Sequence, residues 1–299
     1  MEAVIAALRA MHWGVVPVLV LLAVLHYVFE ATALRAAAGR PLGLGRTTLT
    51  QFTAAAAARI TPGGLGGIAV NARYLTVCGM ALPAAATAVT AYAAGLGIGR
   101  ILVVLAVIAL TGDLEALDGV ADRIGGFAAG LADPRIALAA GAVALAIAGA
   151  GVWAVRRARR RGGKTPRETL RESWEALRDL ARRPRDLFGV LASSVAVAVV
   201  LALAFGLSVL AVPGTETDAE QFGVLVGAYF VGSFVGAAVP VPGGVGTTEA
   251  AFTGTLVLLG IAALPALQAV LVFRLITYWA PVPVGIAASR LALTRRQGG

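Results

Sequence analysis

The chain has 299 residues, of which 59% are hydrophobic and only 14% are charged, with a formal net charge of +9. A soluble domain of this length carries roughly a quarter charged residues, so the composition excludes a soluble domain of any size. One cysteine and two histidines are too few for a disulfide framework or a histidine-based metal centre. We therefore predict an all-α polytopic membrane protein with about seven to eight helices.

Long uncharged stretches predict the membrane spans in chain order. The first runs from Trp13 to Phe29, and the second begins at Leu75 and continues to Gly112, interrupted only by Arg100. Each is long enough to cross a bilayer. The later stretches are Ile136–Val155, Leu187–Val212 and Gln221–Ser289, the last of which contains only two charged residues.

Clusters of basic residues predict the orientation. Six of the nine residues 156–164 are Arg or Lys, and positive loops stay on the cytoplasmic side of a cell membrane. We expect the segment 156–185 and the C-terminus inside, and the N-terminus outside. Arg35, Arg40 and Arg46 then place the end of the first span inside.

The basic segment also contains a predicted amphipathic helix, from about Pro166 to Arg183. Pairing of Glu175 with Arg178, and of Asp179 with Arg183, would stabilise its polar face. We expect the helix to lie on the inner membrane surface, where anionic lipid is its partner. Nucleic acid is not expected as a partner, because the positive-inside bias accounts for the basic run.

The chain repeats a pair of markers. Thr61–Gly67 reads Thr-Pro-Gly-Gly-Leu-Gly-Gly, and Val241–Thr247 reads Val-Pro-Gly-Gly-Val-Gly-Thr. At nearly the same distance downstream, Gly79–Ala84 resembles Gly260–Ala266. We predict one membrane domain over 1–299, with repeat 1 at about 13–112 and repeat 2 at about 187–289.

Each Pro-Gly-Gly motif is predicted to lie at the bend of a hairpin. The first hairpin begins and ends inside, whereas the second begins and ends outside. The two halves therefore form an inverted-topology repeat with interrupted segments in matching places, which is the pattern that marks a transporter's binding site. The sequence leaves open whether the hairpins are re-entrant or fully spanning.

The bends have a chemistry suited to anions. Proline stops the incoming helix, and glycine permits positive φ and close backbone approach. A helix beginning after Gly67 or Gly246 would present free N–H groups and the positive end of its dipole to a phosphate or carboxylate. The candidate substrate-binding residues here are Pro62, Gly63, Gly64, Gly66, Gly67, Pro242, Gly243, Gly244 and Gly246; a tight structural turn is the alternative.

Charged residues within the apolar stretches complete the candidate site. Arg274 is placed to hold a lipid phosphate bidentately, and Glu249 stabilises a helix N-terminus or pairs with Arg274. Arg59 and Arg73 flank the first bend and Arg100 lies within the third span, so all three would add positive potential, although packing or snorkelling explains them equally well. Tyr278 also belongs to the candidate set. His26 and Glu30, one helical turn apart, permit a proton relay.

Three segments resemble the lysylphosphatidylglycerol synthase transmembrane (flippase-like) family. The first is Thr61–Gly67 followed by Ala72–Leu75; the second is Pro240–Glu249; the third is Phe273–Trp279 with Pro281 and Gly285. The resemblance extends over nearly the whole chain. It implies movement of an anionic or zwitterionic lipid between leaflets, without synthase activity, because the soluble synthase domain is absent from this sequence.

We therefore expect a membrane transporter that moves a (phospho)lipid by alternating access. The alternatives are a membrane scaffold or partner of a lipid-modifying enzyme, and a small-solute secondary transporter. We found no phosphate-loop, zinc-protease or Ser/His/Asp pattern, so we expect neither an enzyme nor a cofactor. The lipid, direction, coupling ion and oligomeric state stay open.

Overall fold

The computed structural model describes residues 12–61, 64–111, 181–215, 217, 221–238 and 244–293, together with 171, 174, 175, 178 and 179. All regular secondary structure in these residues is helical, as predicted from the composition. The chain divides into two compact units, Met1–Leu105 with Ala176–Gly299, and Ala106–Glu175. The predicted span Ile136–Val155 and most of the basic segment lie outside the described residues.

Within the described residues up to 111, the chain forms two long helices with two short ones between them. The 3₁₀ turn Trp13–Val15 leads into α1, Val16–Ala38. The short helices are α2, Leu44–Arg59, and α3, Leu65–Val77, and the second long helix is α4, Leu82–Thr111.

The second half follows the same order of long, short, short and long. Helix α5 is Pro184–Leu210, α6 is Phe222–Ala238, and α7 is Thr247–Leu258. The last long stretch consists of α8 (Ala263–Arg274), a π-helical turn (Leu275–Trp279) and α9 (Pro281–Leu293). Four stretches of the described chain have the length and apolar composition needed to cross a membrane: Trp13–Ala38, Leu82–Val107, Pro184–Leu210 and Ala263–Ser289.

Helices α1 and α5 pack against each other in antiparallel directions. Near one end, the Thr32 hydroxyl donates a hydrogen bond to Ser193 at 2.8 Å. Near the other, the His12 amide donates to the carbonyl of Ala211 at 3.0 Å. Small residues permit this close approach, since a Cβ on Gly189 would lie 3.0 Å from that of Ala36. The first helices of the two halves therefore run in opposite directions.

The closing helix α9 packs against α2, the first arm of the first hairpin. Gly285 meets the backbone of Phe52 so closely that any side chain there would collide with its carbonyl. The Thr53 hydroxyl donates to the Gly285 carbonyl at 3.1 Å. This contact brings the end of the second half onto the first hairpin.

One predicted helix start is wrong. Helix α3 begins at Leu65, so Gly66 and Gly67 lie in its first turn rather than before it. Gly64 immediately precedes the helix, with φ of 71°, a left-handed conformation that glycine adopts without steric cost. Gly66 and Gly67 instead let α3 approach the backbone of α2 at Ala57 and Ala54.

The ion pairs of the basic segment also differ from those predicted. Glu175 accepts from Arg171 at 2.9 Å, and Arg182 lies 3.6 Å from Asp179. Arg183 pairs with Asp186, at 3.2 Å, instead of with Asp179. Pro184 begins α5, and because proline interrupts helical hydrogen bonding, Arg183 belongs with the first turn of the next helix. Described positions from 171 to 181 are helical, as predicted.

Candidate functional site

The first bend is closed by a threonine hydroxyl. Thr61 Oγ1 donates to the Ala57 carbonyl at 2.9 Å and accepts from the Gly66 amide at 2.8 Å. This satisfies one of the backbone N–H groups that the start of a helix leaves free. Pro62 and Gly63 lie outside the described residues.

The second bend is closed by a carboxylate. Gly244 and Gly246 have φ of 61° and 84°, and α7 begins at Thr247, directly after Gly246 as predicted. Glu249 Oε2 accepts from the Gly246 amide at 2.8 Å. A carboxylate there also interacts favourably with the positive end of the helix dipole. Pro242 and Gly243 lie outside the described residues.

Arg274 joins the closing stretch to this second bend. Its Nε donates to Glu249 Oε1 at 2.8 Å, and one of its terminal nitrogens lies 3.5 Å from the Gly244 carbonyl. Arg274 is only 6% exposed, and the Glu249 side chain 14%. A buried charge in an apolar stretch is stabilised by such pairing, and the alternative prediction that these two residues pair is confirmed.

Tyr278 contacts a second arginine, Arg59, beside Arg274. The guanidinium carbons of Arg274 and Arg59 lie 3.7 Å and 4.0 Å from the centre of the Tyr278 ring, within the range of cation–π attraction. Arg59 Nε also donates to the Tyr278 carbonyl at 3.1 Å. Arg59 is the last residue of α2, so Tyr278 connects the first bend to the second.

The backbone around Tyr278 is irregular because of the prolines that follow it. The Ala280 amide donates to the Leu275 carbonyl, five residues back, in the π-helical turn. Pro281 has no N–H to donate to the Thr277 carbonyl. The Tyr27 hydroxyl of α1 donates to that carbonyl at 3.4 Å and lies 3.4 Å from Arg59. Single π-helical turns are frequent at functional sites.

The structure gathers some of the predicted residues and separates others. Gly244, Gly246, Glu249, Arg274 and Tyr278 form one cluster, to which Arg59 adds a second cation. Gly64, Gly66 and Gly67 lie at the bend that follows Arg59. Arg73 is exposed on α3 and is not part of this cluster.

Sequence reasoning missed Tyr27, and it gave Arg59 only a general electrostatic role. A tyrosine within the first apolar run was the available signal, because a hydroxyl at membrane depth needs a partner. Its partner on the closing stretch is 250 positions away, so no local pattern identifies it. His26 and Glu30 pair as their spacing indicates, with Nε2 and Oε1 at 3.8 Å.

The described fold and this buried cluster define a helical membrane protein with charged side chains at the bend of an interrupted helical segment. The family model for the lysylphosphatidylglycerol synthase TM region matches residues 1–285, and the chain belongs to that family. Membership indicates a membrane protein connected with lipid handling, and it confirms the resemblance seen in the sequence. Comparison with curated proteins gave no match.

Proposed function

We propose that this protein moves an anionic or zwitterionic phospholipid between membrane leaflets by alternating access. The observation that carries the proposal is the buried Arg274, held by Glu249 at the second bend. Ionisable residues inside an apolar stretch are costly and mark substrate pathways. The lipid-handling family makes a lipid phosphate the natural counter-ion for this guanidinium.

Arg274 and Glu249 form the switch in this proposal. A guanidinium binds phosphate bidentately, so a head group that reaches Arg274 competes with the Glu249 carboxylate. Once released, Glu249 no longer ties the closing stretch to the second bend. Lipid binding thereby supplies the differential contact that any ligand-driven change of conformation requires.

Two features support the inverted-repeat architecture on which alternating access by movement of one half against the other depends. Helices α1 and α5 begin the two halves and are antiparallel, as an inverted repeat requires. The second arm of each hairpin is short. Helix α3 has 13 residues and α7 has 12 residues, so the two arms are about 20 Å and 18 Å long. The hydrocarbon core is about 30 Å thick, so these lengths favour re-entrant hairpins.

The remaining assignments follow from this role. We place the protein in the plasma membrane, with the basic segment 156–185 facing the cytoplasm, and we assign transport rather than catalysis. The head group binds without a cofactor, while its acyl chains stay in lipid.

The test is lipid translocation in proteoliposomes that carry head-group-labelled phosphatidylglycerol in both leaflets. An impermeant reductant bleaches only the outer leaflet, so translocation raises the bleached fraction. We would compare wild type, Arg274→Lys and Glu249→Gln with Gly254→Ala, a control in α7 where an added Cβ meets nothing within 4 Å.

We expect wild type and Gly254→Ala to raise the bleached fraction above that of empty vesicles. Arg274→Lys keeps the charge but loses bidentate geometry, so its rate should fall about tenfold or more. Equal rates for Arg274→Lys and wild type would remove the guanidinium from the pathway. A wild type that matches empty vesicles, with and without a proton or sodium gradient, would contradict transport itself.

A further inference from the structure

A second polar site lies where α1 ends and α5 begins, outside the cluster around Arg274. A shallow cavity of about 370 Å³, largely open to the surface, lies there between the two helices. Its lining residues are Thr32, Arg35, Ala36, Gly39, Arg40, Pro41 and Asp186. We propose that this cavity binds the phosphate-bearing head group of an anionic membrane lipid, independently of the transport proposed above.

The side chains that line the cavity carry a net positive charge. Asp186 is neutralised by Arg183, whose guanidinium lies 3.2 Å from its Oδ2. Within the described part of the chain, neither Arg35 nor Arg40 has a carboxylate within 4.0 Å. The two lining arginines therefore give the cavity a positive potential that attracts an anion.

Arg35 also has an unsatisfied hydrogen-bond donor. Its Nε is buried and has no hydrogen-bond partner among the described residues. Leaving a buried charged donor unpaired is costly, so the Arg35 side chain gains by turning toward a phosphate oxygen, the partner that a guanidinium accommodates best. The exposed Arg40 supplies a second guanidinium at the rim of the same cavity.

Gly39 ends α1 beside the cavity. Its φ of 60° is the left-handed conformation that commonly ends a helix. A Cβ at this position would collide with the Arg183 guanidinium. The glycine therefore lets Arg183 lie against the helix end, where a cation is favoured and where it pairs with Asp186.

The cavity lies at the depth of a head group. From Thr32 to Gly39, α1 rises by about 10 Å, and Gly39 ends a helix of membrane-spanning length. The polar layer on each side of a bilayer is about 5–8 Å thick, so the cavity overlaps it. Basic pockets between helices on the cytoplasmic side bind anionic head groups, and this is the end of α1 that we predict to face the cytoplasm.

The experiment is binding of phosphatidylglycerol to the purified full chain in neutral detergent, measured by native mass spectrometry. The variants are Arg40→Gln, which is exposed and should fold normally, and Arg35→Gln/Arg40→Gln. The control Gly254→Ala adds a methyl group that meets nothing within 4 Å, in α7, which contributes no residue to this cavity. Inorganic phosphate in a separate titration distinguishes a free phosphate ion from a lipid head group.

We expect the double variant to weaken phosphatidylglycerol binding about tenfold or more, and Arg40→Gln severalfold. Gly254→Ala should bind like wild type, and phosphate should compete only weakly. An unchanged affinity in Arg40→Gln and the double variant, or an equal loss in Gly254→Ala, would overturn the site. Displacement by phosphate as strong as by lipid would assign it to the free ion instead. Because no transport is measured, this result is separate from that of the translocation assay.

Discussion

The guanidinium of Arg59 lies 4.0 Å from the centre of the Tyr278 ring, although 219 positions separate the two residues. Arg274 lies over the same ring at 3.7 Å. The Tyr278 ring therefore contacts both Arg59, at the end of α2 before the first bend, and Arg274, which contacts the second bend.

Replacing the Tyr278 ring should separate the two arginines from each other. Tyr278→Leu removes both cation–π contacts and should destabilise the protein by about 1–2 kcal/mol, whereas Tyr278→Phe should lose less because the ring remains. Thermal unfolding in detergent, followed by size-exclusion chromatography, provides the measurement. Equal losses of thermal stability in Tyr278→Leu and Tyr278→Phe would show that the hydroxyl, and not the ring, is the stabilising part of Tyr278.

The pair of Arg274 and Glu249 should behave as one unit. Arg274→Met leaves the Glu249 carboxylate buried without its partner, which should cost about 3–5 kcal/mol. The double variant Arg274→Met/Glu249→Gln should recover part of this loss, because no buried charge remains. A double-mutant cycle on thermal stability measures the coupling, and additive effects would show that the two side chains do not depend on each other.

The close approach of α3 to α2 should make Gly66 intolerant of a side chain. A Cβ there would collide with the Ala57 carbonyl, and overpacking of this kind costs about 1–3 kcal/mol. Gly66→Ala should therefore lower the unfolding temperature. The matched change Gly254→Ala, in open space on α7, should be neutral or slightly stabilising, because alanine is the better helix former. The same shift in both variants would contradict the close contact between α2 and α3.

The hydroxyl of Thr61 should matter more than the shape of its side chain. Thr61→Val leaves the Gly66 amide without its acceptor and should cost about 1 kcal/mol, whereas Thr61→Ser keeps the hydrogen bond. Amide hydrogen exchange at Gly66 reports directly on this contact, and it should accelerate in Thr61→Val alone. Unchanged exchange in Thr61→Val would mean that the bond at 2.8 Å does not protect the amide.

Local patterns in the sequence were sufficient for the helical class, most of the described spans and the two bends. Uncharged runs must become helices in lipid, because no water is present to satisfy the backbone. Proline and glycine mark where those helices stop, and Glu249 follows the second bend at the spacing that caps a helix. These features depend on neighbours in the chain, which is why Thr247 was correctly predicted as the start of α7.

Only the tertiary structure decided which distant residues meet. The start of α3 at Leu65 depends on how closely Gly66 and Gly67 pack on α2, and the sequence does not show that contact. The positions of Arg59 and Tyr27 beside the closing stretch depend on α9 packing against α2 through Gly285. The sequence alone thus determined a membrane protein with two broken hairpins. The packing of separate helices decided that two arginines share one tyrosine, because that requires contact between segments more than two hundred positions apart.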